Sequence, residues 1–370
     1  MSHAPRRRIC VLMSGIACVC LSLGIPACKE QATPQQAETP ADQADATSAR
    51  TASATLESPP PRADRLIPDD DNDQPGAPAF LPRSDTVAGW IKTRAVWLQT
   101  ARQFLESLED SDRRAEMAPY RIMDAARCGY EMDVDGTRWS LEVCVLRCRT
   151  PDDAFGLFAT QRTGRPVGAT AQVWCDEGPE SLVLQAWQAT CYLWAEARPA
   201  DVERLLPEAE KLLARILLGL PAADPPPLLS HMPTRGRRAE RMWFVRGARS
   251  LSAPGAALLT PAGADAVDGV LRLKAARGMV AASYEASPGE PPNNIWLVEY
   301  ESPSDASAAY ESYRRALALP PDRGGSAGRV PHTLMISPVG RFLAGSWSAE
   351  QESAMYLLPG MRSALSRLEP

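Results

Sequence analysis

The sequence predicts an α+β fold: duplicated antiparallel-sheet units with helices packed on one face, following a signal peptide and a disordered tether. Three observations lead there. RTPDDAFGLF at 149–158 returns as ESPSDASAAY at 301–310, an offset of 152 residues. Each copy of that stretch follows a strand-like run, LEVCVLRC or NIWLVEY, and opens an amphipathic one. Residues 29–79, by contrast, contain no aromatic residue.

Residues 1–27 read as a signal peptide. Arg6, Arg7 and Arg8 precede an apolar run from Ile9 to Ile25, the charged and hydrophobic regions of a secretory leader. The run spans 17 residues, short of the ~20 that a membrane-crossing helix needs. It ends in IPAC, which resembles the lipobox of bacterial lipoproteins. That resemblance implies acylation of Cys28, and Lys29 after it implies the outer membrane, facing the periplasm. Pro26 departs from the residue usual there.

Residues 28–79 read as an acidic, Pro-rich tether, because such a segment cannot bury enough apolar surface to offset its ordering entropy. The cluster Asp69, Asp70, Asp71 and Asp73 lacks an EF-hand's spacing: positions six and twelve from Asp69 hold Gln74 and Phe80, where glycine and glutamate are required. The leader carries +3 and the tether −6 of the overall −5, leaving −2 for residues 80–370. That balance gives no global basic bias, so no nucleic-acid partner is expected.

The remainder has room for about two domains: 80–220, a first repeat with an N-terminal helix, and 221–370, a linker and a second repeat. The extra helix is expected over 93–109, with Trp97, Ala101, Phe104, Leu105 and Leu108 as its buried stripe. Asp135-Gly136 is a favoured type I′ pair. It sets a hairpin of 128–134 and 137–148 with Met132 opposite Trp139, Tyr130 opposite Leu141 and Cys128 opposite Val143. In the next helix, 151–161, Thr150 caps, Pro151 suits the first position and Asp153 sits beside the helix dipole. AQVWC, SLVLQAW and TCYLWAEA supply further strands. A helix over 202–218 carries Val202, Leu205, Leu206, Ala209, Leu212, Leu213 and Ile216 on one stripe, and Pro207 should kink or restart it. In the second copy Ser302, Pro303 and Asp305 repeat the cap, and LLP at 205–207 returns at 357–359. Strands are expected near 279–286, 294–301, 331–337 and 341–347, with helices near 303–317 and 350–368. The offset of 152 is expected throughout.

PGAPAFLPRSDTVAGW, VCVLRCRTPDDAFGLFATQRTG and WQATCYLWAEARPADVERLLPEAEKLLARI together resemble an uncharacterised domain family of secreted and lipid-anchored bacterial proteins. The strand followed by PxDAFGxF is its most specific part. The resemblance covers roughly 80–370 and implies fold and location, with no catalytic residue. It departs at SDRRAEMAPYRIMDAARCGY, ahead of the first hairpin.

Chemistry-bearing residues are sparse. GGSAG at 324–328 fits Gly-x-Ser-x-Gly around Ser326, but a nucleophile elbow needs a strand before and a helix after, the reverse of the expected order. His231 and His332 lie outside any metal-ligand spacing. Cys144, Cys148, Cys175 and Cys191 are candidate disulfide partners, with buried free thiols or a metal or redox site as alternatives. On a regular strand Cys144 and Cys148 stand ~13 Å apart, too far to bond each other. Core packing is expected for most tryptophans, a cleft lined by some of them being the alternative.

The reading is an exported lipoprotein of the cell envelope, anchored to the membrane through its lipid. It has a non-catalytic binding or structural role, with an envelope protein or small ligand as partner, and no metal or cofactor. The alternative is an envelope hydrolase using Ser326 or carboxylates. A convergent polar pocket favours the enzyme; a smooth apolar groove favours binding.

Overall fold

A computed structural model of the chain describes residues 76–368, apart from residue 85 and segments 168–171, 179–180, 198–200, 257–263, 286–292, 319–332, 336–337 and 348–350. The leader, the tether with Cys28, and the loop with Ser326 and His332 lie outside the described residues. Those described belong to one compact unit.

The fold is α+β, with antiparallel sheets built twice over. Short strands β1 (Ile91–Lys92) and β2 (Trp97–Thr100) lead into helices α1 (Ala101–Glu106) and α2 (Ser111–Met117). The first repeat follows as β3 (Ile122–Val134), β4 (Thr137–Cys148), α3 (Pro151–Gln161), β5 (Arg165–Pro166), β6 (Val173–Glu177), β7 (Leu182–Gln188), β8 (Cys191–Ala197) and α4 (Val202–Leu218). Then come β9 (Arg237–Val245) and α5 (Ala264–Leu271). The second repeat is β10 (Ala276–Tyr284), β11 (Asn293–Tyr300), α6 (Pro303–Ala318), β12 (Thr333–Met335), β13 (Phe342–Trp347) and α7 (Gln351–Leu365). The strand order β3-β4-β8-β7 of the first sheet recurs as β10-β11-β13-β12 in the second.

The Asp135-Gly136 turn sets the first hairpin as expected. Both residues have positive φ, 53° and 77°, as a type I′ turn requires. Met132 pairs with Trp139, Tyr130 with Leu141 and Cys128 with Val143. The two helix caps are chemically the same. The Asp153 N–H donates to Thr150 Oγ1 at 3.3 Å, and the Thr150 hydroxyl donates back to Asp153 Oδ2 at 2.7 Å. Asp305 and Ser302 repeat both bonds at 3.2 and 2.7 Å.

The constant offset fails in the second hairpin. Cys144 pairs with Trp194, whereas Trp296 pairs with Gly345, one residue short of the 152 spacing. Gln185 opposes Trp194, whereas Met335 opposes Gly345, two short. Connections between elements absorb such slips, and the pairing face of each strand sets which residues correspond. Spacing recovers in the last helices: Pro207 and Pro359 both lie inside unbroken helices, and Ala209 with Met361 and Leu213 with Leu365 are buried. Pro207 therefore neither ends nor restarts α4.

The expected helix over 93–109 is a strand followed by a short helix. Trp97 pairs with Arg127 in β2. Helix α1 starts only at Ala101, where Thr100 and Gln103 form a capping box that satisfies two N–H groups at once. Of the expected stripe, Phe104 and Leu108 are buried, and Ala101 and Leu105 pack partly buried against them.

The first sheet carries a helix layer on each face. Cys144, Leu146 and Cys148 join a core with α3, while Val143 and Val145 join one with α4, as period-two alternation requires. Helix α3 is buried from Asp153 to Gln161, because β9 of the second sheet lies across its outer side. At one end Arg246 Nε bonds Asp153 Oδ1 at 2.7 Å. Midway, the Tyr120 hydroxyl donates to the Phe244 carbonyl at 3.0 Å. At the other end Arg162 Nη2 donates to the Met242 carbonyl at 3.1 Å. Strand β9 is an edge of its sheet, and unpaired edge groups invite aberrant pairing. Here the first repeat covers that edge.

This crossing explains the glycine of the FGLF stretch. A Cβ at Gly156 would lie 2.3 Å from the Tyr120 ring and 2.9 Å from the Phe244 carbonyl oxygen. Ala308 occupies the corresponding position of α6 and is partly exposed. Gly156→Ala should therefore destabilise by about 1–3 kcal/mol through overpacking, although alanine normally favours a helix. Chemical denaturation checks this, with Ala308→Gly, expected to cost only about 0.5–1 kcal/mol, as the comparison.

Candidate functional site

Two repeats that share a helix leave a recess where their margins meet. A pocket of about 350 Å³ opens there, lined from the first repeat by Asp110, Arg113 and Glu116 near and on α2, Gln161 and Thr163 at the end of α3, Val183 and Gln185 of β7, and Trp194 and Glu196 of β8. Ser252 and Pro254, beyond β9, close it. Its volume falls in the range of small-molecule sites, about 300–1,000 Å³.

The polar groups are held by their elements. Asp110 caps α2, accepting from the N–H groups of Asp112 and Arg113 at 2.8 and 3.2 Å. Gln185 is fixed at both ends: its Nε2 donates to the Gln161 carbonyl at 3.1 Å and its Oε1 accepts from the Thr163 N–H at 3.2 Å. Gln161 Nε2 donates to Glu116 Oε2 at 3.2 Å. The Arg113 guanidinium stacks 4.5 Å from the centre of the Trp194 ring, a cation–π contact. The neighbouring turn is tied in by Ser250, whose hydroxyl donates to the Glu116 carbonyl at 3.0 Å.

Glu116 is only 8% exposed. Burial raises its carboxyl pKa above the ordinary range; the Gln161 hydrogen bond and Arg113 oppose the rise, and Asp110 and Asp112 add to it. A raised pKa means that the ionised form is disfavoured in the folded state, so stability falls as pH climbs from the ordinary glutamate value, about 4.3, through the raised one. Glu116→Gln keeps an acceptor for Gln161 and removes that penalty. It should raise the melting temperature at pH 7 and lose the advantage near pH 4; a melting series across pH checks both.

Next to this pocket Arg162 is 5% exposed. Its guanidinium lies 4.6 Å from the Trp174 ring centre, 5.4 Å from Phe158 and 5.6 Å from Trp243. Burial pushes its pKa down to about 9, which leaves it charged at neutral pH, and the aromatic rings with the Met242 carbonyl stand in for solvent.

The residues singled out in the sequence do not converge here. His231 sits in the 227–231 turn, its ring 6.4 Å from Phe342, beside a separate pocket of about 310 Å³ with Glu299 and Arg341. Cys144 and Cys148 share the α3 face, whereas Cys128, Cys175 and Cys191 share the α4 face. A bond between the two sets would have to pass through the sheet. All five are buried and outside any disulfide, and burial pushes Cys144 up to about 11, Cys175 and Cys191 to about 12, and Cys148 well above its ordinary value. Because the thiolate is the reactive form, Cys144, Cys148, Cys175 and Cys191 should resist alkylation at pH 8 in the native protein. All should label after denaturation without reductant; peptide mapping counts them. Among the described residues no three His, Cys, Asp or Glu side chains gather as metal ligands, and no helix is long and apolar enough to cross a membrane.

Glu116, Gln161 and Gln185 were missed in the sequence. Gln185 had a signal, a polar residue between Val183 and Trp187 on one face of an apolar strand. Glu116 had none, since α2 is short and mostly charged. Comparison with family models, curated proteins and solved structures found no match.

Proposed function

We propose that the protein is a lipid-anchored, non-catalytic binding protein of the cell envelope, with the pocket between its repeats as the binding site. The observation that supports this best is the pocket's prearranged lining, contributed by the first repeat with its preceding helix α2 and closed by the segment between β9 and α5. Most of its polar groups are already committed: Asp110 to a helix cap, both ends of Gln185 to backbone, Arg113 to Trp194. Such groups orient a ligand without supplying a nucleophile or a base. The leader ending at Cys28 supports anchorage, with the tether holding the body off the membrane.

Two experiments test the reading. Cys28→Ala should release the protein from the membrane fraction or block its processing; an unlipidated mature N-terminus elsewhere contradicts anchorage. A small-molecule extract of the envelope should raise the melting temperature of the protein, and Ser252→Trp, which fills the pocket, should abolish that shift. No shift in either protein contradicts the binding role.

A carboxylate hydrolase is the second reading, favoured by the polar character of the pocket and by Glu116, whose raised pKa beside Asp110 suits a general acid. Turnover of an envelope extract that Glu116→Gln abolishes would establish it in place of the first.

A further inference from the structure

Charge is unevenly placed on the body. Residues 80–370 carry −2 in all, yet 235–241 holds Arg235, Arg237, Arg238 and Arg241 against Glu240 alone, a local +3. Glu240 is taken by Arg238 at 2.7 Å, and Arg237 gives Nη1 to the Leu229 carbonyl at 2.8 Å. Among the described residues no carboxylate pairs with Arg235 or Arg241. Next to them Arg162, 5% exposed, also lacks a paired carboxylate; Arg241 adds to the positive charge around it and Glu240 opposes. Cations without a counter-ion are costly where they are buried and draw anions where they reach the surface. The strand carries these side chains on a bulge. Met242 opposes Ala282 and Arg237 opposes Tyr284, so 238–241 face the single residue Ser283. Helix α3 ends at Arg162, level with Met242. The bulged half of β9, with Ala239 exposed, lies beyond that cover at the edge of its sheet.

We propose that this arginine face docks the body onto an anionic lipid surface. Its setting rests on the proposed anchorage: Cys28 stands 48 residues ahead of Gly76, enough chain for the body to stand off the membrane or to settle on it. Each arginine brought to a negatively charged surface strengthens the attachment, and salt weakens it. A bulge obstructs strand addition, which disfavours an acidic peptide pairing along this edge. A headgroup layer demands no such register, because its phosphate groups meet guanidinium donors wherever these project.

The test is vesicle co-sedimentation of residues 29–370, the mature chain without its lipid, which keeps every residue of the folded body. Vesicles of equal phosphatidylcholine and phosphatidylglycerol should bind it, pure phosphatidylcholine vesicles should not, and added salt should release it. Arg235→Gln with Arg241→Gln, its folding confirmed by a melting curve, should weaken binding by about tenfold or more, two charges being lost. Arg235→Gln alone, at an exposed turn position, should give part of that loss. Arg102→Gln with Arg204→Gln removes the same charge from exposed places on α1 and α4 and should leave binding unaltered. Equal binding to the two kinds of vesicle overturns the proposal. So does equal weakening by the two pairs of substitutions, or capture of poly-glutamate without vesicle binding, which would put an acidic protein in the lipid's place. If the vesicle preference holds while the mature N-terminus proves unlipidated, the anchorage falls and the docking face stands.

Discussion

Asp153→Ala should cost about 3–5 kcal/mol, the usual consequence of removing one partner from a buried ion pair. Asp153 is 0% exposed and holds together more than a local pair. It bonds Arg121 of its own repeat at 2.9 Å and Arg246 beyond the linker at 2.7 Å. It also receives the Thr150 hydroxyl and gives its backbone N–H to that residue's side chain. The side chain of Arg246 is 20% exposed and that of Arg121 42%, so Arg246 is the partner stranded more severely. A double-mutant cycle between Asp153 and Arg246 isolates the contact between repeats. Asp305 has the same cap but is partly exposed, and no ion pair of the described residues involves it; Asp305→Ala should cost about 1 kcal/mol, the ordinary value of a cap. Equal losses at the two positions, measured by denaturant titration, would mean that Arg121 and Arg246 add nothing.

Phe158→Ala should cost about 3–5 kcal/mol, transfer and cavity together, out of a total stability of about 5–15 kcal/mol. Phe158 is buried in the core that α3 shares between the two sheets, and its ring supports the buried guanidinium of Arg162. Truncation thus opens a cavity and removes one wall of the aromatic enclosure around a charge. Tyr310, its counterpart in α6, is only partly buried against the same core, with Tyr313 taking the deeper place against Trp296. Tyr310→Ala should be the milder change, and the difference between the two melting temperatures reads it directly.

Local signals carried most of the fold. Asp135-Gly136 set a register, Thr150-Pro151 and Ser302-Pro303 started helices, and the 202–218 stripe packs inward with only Val202 and Leu206 left partly buried, because each depends on neighbours in the chain. Three kinds of feature did not show. The expected 93–109 helix followed an apolar spacing that began at Trp97, whereas the Thr100–Gln103 capping box starts α1 only at Ala101. Strand β9 opens with Arg237 and Arg238 and ends buried on both sides at Trp243, Phe244 and Val245, so no alternation marks it. The pocket depends on Ser252 and Pro254 meeting β7 and β8, a contact made only after the repeats dock. The glycine at 156 was visible in the motif, but its reason, a strand from the other repeat crossing its helix, lies far away in sequence.

The central claim is that the repeats form one cooperative body joined through α3 and β9. Differential scanning calorimetry of the folded part tests it most directly. The structure predicts a single transition whose calorimetric and van't Hoff enthalpies agree, and which Asp153→Ala shifts to lower temperature as a whole. Two resolved transitions, with Asp153→Ala moving only the one that belongs to the first repeat, would contradict it.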